Sequence, residues 1–219
     1  MQTKQKNNFH MTFLKDIKGV IHVGANKGNE RHIYNQNNLN VLWFEPIPSV
    51  FSILQRKISY YKEKQKCIQA LITDEDDKEY EFKVSSNSGL SSSIFDLNLH
   101  KQIWKRVSVT NSIKIKSTTL NSVFKNNSIL DINLYDSMII DTQGSELLVL
   151  NGASNIVPKM KYIMVEIADF EAYTGCCKLP EMEEFMKNNG FRECERIVQT
   201  LKESNGVGNY FDMVYKRLN

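Results

Sequence analysis

Five short apolar runs rich in β-branched residues set the frame of this chain: GVIHV (19–23), VLWFE (41–45), KCIQALI (66–72), YDSMIID (135–141) and KYIMVEI (161–167). Segments of helical periodicity separate them: NERHIYNQ (29–36), SVFSILQRKISYYKEK (49–64), SELLVLNGAS (145–154) and EMEEFMKNNG (181–190). Strands that are apolar almost throughout have no face to give to water. Their alternation with amphipathic helices therefore predicts a parallel sheet covered on both sides. Two final strand-like runs, FRECERIVQT (191–200) and NYFDMVYKRL (209–218), flank a polar turn containing ESNGVGN and predict an antiparallel pair at the sheet edge. The expected fold class is α/β: an open, mostly parallel twisted sheet with a C-terminal antiparallel hairpin.

Two stretches break the rhythm. KEYEFKVSSNSGLSSSIF (78–95) reads as a strand running into a Ser/Gly/Asn-rich loop. VTNSIKIKSTTLNSVF (109–124) reads as a further strand, followed by a helix capped by Thr118, Thr119 or Asn121. Residues 1–18 are expected to form a lead-in, flexible at first and docking around Met11 to Leu14. Residues 19–219 are expected to form one domain, a length that suits one core.

Several function classes fall away. No run nears the ~18 apolar residues of a membrane span, and the N-terminus lacks the apolar core of a secretory signal. A cytoplasmic location with no membrane partner is expected. Cys67, Cys176, Cys177 and Cys194 form no C-x-x-C pair, so neither a zinc site nor a disulfide framework is expected. The net charge of +3 is too mild to name a partner. The densest basic stretch, His100 to Lys116 with Trp104 inside it, has the look of a nucleic-acid patch but is read as a solvated surface with a half-buried Trp.

Ligands of open parallel sheets bind beyond the carboxyl ends of the strands, where the strand order switches. HVGANKG lies at such an end. Gly24 and Gly28 leave room for a ligand beside the backbone, and Gly28 can also bring a helix close to the sheet. The G-x-x-x-G spacing is neither a dinucleotide fingerprint nor a P-loop. Glu45 ends the second strand about twenty residues after the glycines, just before Pro46, where an acid can accept hydrogen bonds from both ribose hydroxyls of an adenosine. Loop and acid together describe an adenosine-containing cofactor, either a dinucleotide or S-adenosylmethionine (SAM).

SMIIDTQGSELLVLNGAS (137–154) is more diagnostic. Asp141 closes a buried strand, Gly144 permits a tight turn, and Glu146 falls in the first turn of a helix, where the dipole favours an acid. Glu166 occupies the equivalent end of the next strand. Asp141 and Glu166 side by side could hold a substrate hydroxyl, act as general base or bind a cation. The competing reading makes one a cap for backbone N–H groups and the other a strand-end acid.

VIHVGANKGNE, VLWFEPIPSVF, IIDTQGSELLVLNGA and IMVEI, in this order, with GVGNYFDMVYKR at the end, resemble the FkbM-type SAM-dependent methyltransferases from about Gly19 to Arg217. The resemblance implies a Rossmann-like class I methyltransferase that moves the SAM methyl to an acceptor, commonly a hydroxyl on a sugar, glycan or small metabolite. It implies that Gly24, Asn26 and Gly28, with His22 and Ala25 beside them, surround the methionine part of SAM. Glu45 with Pro46 matches the ribose acid, and Ala70 and Leu71 extend the cofactor wall. Asp141, Gln143 and Glu146 match the block near the transferred methyl. Asp141, Glu166 and Gln143 are then the expected catalytic residues; Gln143, Glu146 and Glu166 are expected at the acceptor. Asn87, Ser92 and Ser93 of the Ser-rich loop match contacts to cofactor and acceptor. His22 stands where many class I methyltransferases carry an acid, and a lone His there is more often structural. A divalent metal bridging Asp141 and Glu166 is left open, as is the oligomeric state.

Three rivals rank lower. An NAD-linked oxidoreductase fits Glu45 but not the loop spacing. An RNA or cap methyltransferase draws only on the stretch from Lys101 to Lys116, and a nucleic-acid amino methyltransferase lacks its Asn/Asp-Pro-Pro-aromatic motif, so a nucleic-acid partner is not expected. A non-catalytic adenosine-binding module would bind SAM without using Asp141.

Overall fold

The computed structural model describes residues 11–199 and 206–218. The flexible part of the expected lead-in, residues 1–10, and part of the hairpin turn lie outside the described residues. A 3-10 turn at Thr12–Asp16 buries Phe13 and Leu14, with the Phe13 ring 5.3 Å from that of Tyr162.

The chain runs β1 (Gly19–Val23), α1 (Arg31–Gln36), β2 (Asn40–Phe44), α2 (Pro48–Ile58), β3 (Gln65–Ile68), β4 (Leu71–Ile72) and β5 (Glu79–Ser85). It continues through α3 (His100–Ile103), β6 (Val109–Thr118), α4 (Leu120–Asn126), β7 (Ser137–Ile140), α5 (Glu146–Asn151), β8 (Tyr162–Ala168), α6 (Leu179–Asn188), β9 (Phe191–Gln199) and β10 (Tyr210–Arg217). Seven strands form one sheet in the order β3-β2-β1-β7-β8-β10-β9. β3, β2, β1, β7 and β8 are parallel, and β10 runs antiparallel to both β8 and β9. The predicted parallel sheet and terminal hairpin are both present.

The strand order reverses between β1 and β7, which pair directly. Two loops therefore diverge above one seam and leave a crevice there. The sheet is packed on both faces, as its apolar runs require. Ile21 and Val23 join one buried cluster with Ile140 and Val165, whereas Val20 joins the other with Val41, Trp43 and Ile139. Alternation along β1 decides which side each residue serves.

KCIQALI departs from the expected single strand. It splits into β3, in the large sheet, and β4, which leaves that sheet at Gln69 and Ala70 to pair with Ser117 and Thr118 of β6. β5 and β6 pair antiparallel, giving a separate three-stranded sheet in the order β4-β6-β5. Phe82, Leu71 and Ile94 bury between this small sheet and the end of the large one, together with Ile47 and Val50. α4 begins at Thr119, whose hydroxyl accepts from the Ser122 N–H at 3.0 Å. The helix expected over 49–64 stops at Ile58 and tightens into a 3-10 turn, Ser59–Tyr61.

Candidate functional site

The seam between β1 and β7 is closed by one contact that tolerates only glycine. Gly24 has φ +85, and a Cβ built there would lie 1.9 Å from the Asp141 carbonyl oxygen. The loop after β1 thus crosses against the loop after β7 with no room for a side chain. Gly28, at φ +61, plays the packing role. A Cβ there would meet Leu54 of α2 at 2.6 Å, so this glycine lets α2 approach the loop.

Glu45, the last residue before Pro46, is 4% exposed. Its carboxylate accepts from the Asn26 N–H at 2.9 Å and from the Ile47 N–H at 2.8 Å. It thereby ties the β1 loop to the start of α2. Burial raises its pKa to about 7, against the two backbone N–H bonds, which lower it.

Asp141 and Glu166 meet as the sequence implied, and Gln143 joins them. The Gln143 Nε2 donates to Asp141 Oδ1 at 2.6 Å and to Glu166 Oε2 at 2.7 Å. Gln143 holds a left-handed backbone, φ 58, while its Oε1 accepts from the Tyr173 hydroxyl at 2.7 Å. The amide chain continues outward: the Gln199 Nε2 donates to Glu166 Oε1 at 3.3 Å and to Asp212 Oδ2 at 2.7 Å. Glu146 turns inward instead. It is 1% exposed, and its Oε1 accepts from the Thr142 and Gly144 N–H groups, both at 3.0 Å. Burial raises its pKa to about 7.

A cleft of about 560 Å³, open to solvent at its mouth, lies over the seam. Its walls include Gly24, Asn26, Glu45, Pro46, Ala70, Leu71, Ser92, Asp141 and Gln143. The Ser-rich loop closes one wall. It is ordered by its own serines: Ser92 Oγ accepts from the Ser85 N–H at 3.0 Å, and Asn26 Nδ2 reaches the Ser88 carbonyl at 3.2 Å. Ser93 donates to the Gln143 carbonyl at 2.8 Å, and Asn87 braces the loop through Ser85 and Ser91.

Some expected contacts lie off the cleft. The His22 ring sits on the opposite face of the sheet, 5% exposed, stacked 4.8 Å from Trp43 and 3.0 Å from the Tyr34 hydroxyl. Period-two alternation puts Val23, not His22, on the cleft side, so His22 is a core residue here. Ala25 packs in the same core cluster. Gly28, Asn87 and Ser93 support the walls from behind, and Glu146 and Glu166 line a smaller hollow of about 260 Å³ shared with Gln143 and Tyr173. Sequence reasoning missed Phe44, Ile47, Phe82 and Leu90, which also line the main cleft, and Tyr173. Leu90 alone carried a signal, an apolar residue inside a polar loop, and it is 50% exposed.

Among the described residues, no three His, Cys, Asp or Glu are placed to hold a metal ion. No helix among them is long and apolar enough to cross a membrane. All four cysteines are free.

The model of the family described as the methyltransferase FkbM domain matches residues 22–193. No curated protein matches the sequence at a significant level. Among solved structures, the chain is similar to residues 961–1257 of StiE O-MT, with a TM-score of 0.52 and 10% identity over 93% of this chain and 69% of that one. It is also similar to Streptococcus pneumoniae Sp1610, a candidate tRNA (m1A22) methyltransferase, with a TM-score of 0.51 and 8% identity over 100% of this chain and 72% of that one. A third similar structure, magnesium protoporphyrin IX methyltransferase from Synechocystis PCC 6803 with bound SAM, has a TM-score of 0.49 and 10% identity over 92% of this chain and 71% of that one. At such identities the likeness concerns the fold, which is that of the class I methyltransferases.

Proposed function

Since the chain belongs to the FkbM methyltransferase family, we propose that it binds SAM in the seam cleft and methylates a hydroxyl on a sugar, glycan or small metabolite. The observation that carries this reading is the placement of Glu45. A buried carboxylate lines the cleft wall beside the Gly24 turn, where the two hydroxyls of a ribose would find an acceptor. The apolar part of the cleft lining, Ile47, Leu71 and Phe82, suits an adenine ring. Gly24 and Asn26 would face the methionine part.

When bound, SAM supplies an electrophilic methyl; the chain supplies alignment and a place for the proton. Asp141 lines the same cleft as Glu45, and it is the group assigned to orient the acceptor hydroxyl and take its proton. Gln143 holds Asp141 and Glu166 on one amide, so the second carboxylate helps to fix the acceptor. The stretch that would serve an RNA substrate is divided in the fold: His100 and Ile103 are buried, and Lys114 pairs with Glu79 at 3.1 Å. This favours a small acceptor over RNA.

Calorimetric titration with SAM, S-adenosylhomocysteine and NAD tests the reading. Micromolar binding of the two sulfur ligands, weakened in Glu45→Ala, with no NAD binding, is the expected result. Absence of binding by both sulfur ligands to the wild type overturns it. An acceptor screen over sugars, glycans and hydroxylated metabolites then follows, with Asp141→Ala as the control that separates an enzyme from a binding module.

A further inference from the structure

The Gln143 side chain carries two N–H hydrogens, and the geometry spends one on each of two carboxylates, Asp141 and Glu166. Only one amide orientation allows this. Rotated by half a turn, Oε1 would face both carboxylates and three acceptors would oppose one another. The far end of the amide selects the orientation. The Tyr173 hydroxyl, a donor through its one hydrogen, points at Oε1 from 2.7 Å. Tyr173 is itself fixed, 1% exposed and stacked on the His100 ring at 5.2 Å. Burial pushes its hydroxyl well above the usual tyrosine range, so it keeps the proton it donates. The Gln143 backbone is held by a separate device, the Ser93 hydroxyl on its carbonyl at 2.8 Å.

We propose that Tyr173 is a positioning residue of the methyl-transfer site: it locks the Gln143 amide with its NH2 toward Asp141 and Glu166, and so keeps both carboxylates turned to the place where the acceptor hydroxyl loses its proton. This rests on the methyltransferase reading above. Tyr173 touches neither reacting group; it acts through Gln143. The seven-residue path from Glu166 to Tyr173 leaves the sheet at Ala168, and nothing in the sequence of that loop marks the tyrosine.

The test uses the full chain with S-adenosylhomocysteine as the ligand probe. In 15N-labelled wild type the Gln143 NH2 protons, assigned by their loss in Gln143→Ala, are expected to be well separated and slow to exchange. Tyr173→Phe is expected to speed that exchange by ~10-fold, the weight of one hydrogen bond, with the dissociation constant for S-adenosylhomocysteine unchanged. Unaltered Gln143 NH2 signals in Tyr173→Phe overturn the lock. With an acceptor in hand, kcat should fall by ~10-fold in Tyr173→Phe and show no further fall when the same change is made in Gln143→Ala. An equal fall in both backgrounds also overturns the proposal, because it places Tyr173 outside the Gln143 path. The binding measurement keeps the two readings apart: if S-adenosylhomocysteine binds neither protein, the methyltransferase reading fails, while the NH2 signals still report on the lock.

Discussion

Glu45 and Glu146 are built alike and serve different ends. Each is buried, each clasps two backbone N–H groups, and burial raises each to a pKa of about 7. The Glu45 clasp joins two separate segments, the β1 loop at Asn26 and the start of α2 at Ile47, and its carboxylate stays in the wall of the main cleft. The Glu146 clasp closes on the turn just before its own helix, at Thr142 and Gly144, and stands outside that cleft. The same chemistry thus borders the main cleft at Glu45 and shapes the turn ahead of α5 at Glu146. Loss of Glu146 should cost mainly fold; loss of Glu45 should cost mainly ligand.

The change that breaks both halves at once is the largest. Gly24→Ala drives a Cβ into the Asp141 carbonyl from a backbone with φ +85. Backbone cannot yield there as a flexible side chain would, so a loss of at least ~3 kcal/mol in denaturant unfolding is expected. Next comes Glu146→Ala, which strips the half-buried Thr142 and Gly144 N–H groups of their acceptor. A fully buried orphan costs about 1–3 kcal/mol and half-burial lets water satisfy part of it, so a total loss of ~2 kcal/mol is expected in the same measurement. Should Glu146→Ala instead unfold like wild type but lose cofactor affinity, Glu146 serves the ligand as Glu45 does.

The two acids also separate by pH. The folded protein holds both protons between the ordinary glutamate value of 4.5 and about 7, where an unfolded chain has released them. Their contribution to stability is therefore complete below pH 4.5, is lost as pH rises toward 7, and is flat above that. Glu45→Gln and Glu146→Gln should each flatten part of this slope in thermal melts across pH 4.5–7. Cofactor binding should divide them. A ribose that donates to Glu45 favours the carboxylate, so affinity for S-adenosylhomocysteine should weaken by up to ~10-fold per unit as pH falls below about 7. Glu45→Gln should remove that dependence and Glu146→Gln should leave it. Equal flattening by both would place Glu146 at the ligand as well.

The sequence carried the frame and much of the site, for identifiable reasons. Apolar runs such as SMII of β7, buried at every position, admit only a sheet covered on both faces. Strand ends then locate Gly24, Glu45 and Asp141, whereas Glu166, expected at a strand end, lies inside β8, which runs on to Ala168 and pairs there with β10. Side-chain direction was harder. His22 and Val23 are neighbours in sequence, yet only the pleat determines which one faces the cleft. The break of KCIQALI into β3 and β4 was invisible because Leu71 and Ile72 are as apolar as a continuing strand would be, although they pair with β6. Tyr173 escaped because its function depends on a partner thirty residues earlier, the Gln143 amide, and loop sequence records no such contact.

The smallest expected effect concerns the Ser-rich loop and tests whether the Glu45 side of the seam relies on an ordered wall. Asn87 lies off the cleft but braces the loop internally. Its Oδ1 accepts from the Ser85 hydroxyl at 2.6 Å and the Ser91 N–H at 3.2 Å, and its Nδ2 donates to Ser91 Oγ at 2.9 Å. Ser85 also contacts Ser92, a cleft residue, so slack at Asn87 reaches the ligand only at second hand. Asn87→Ala should therefore lower stability by about 1 kcal/mol, since the Ser85 and Ser91 groups can find one another or water. Affinity for S-adenosylhomocysteine should fall by no more than ~3-fold, measured by calorimetry beside Glu45→Gln at pH 8. A fall as large as that of Glu45→Gln would make Asn87 a ligand contact, with the loop closing further over the cleft than its brace requires.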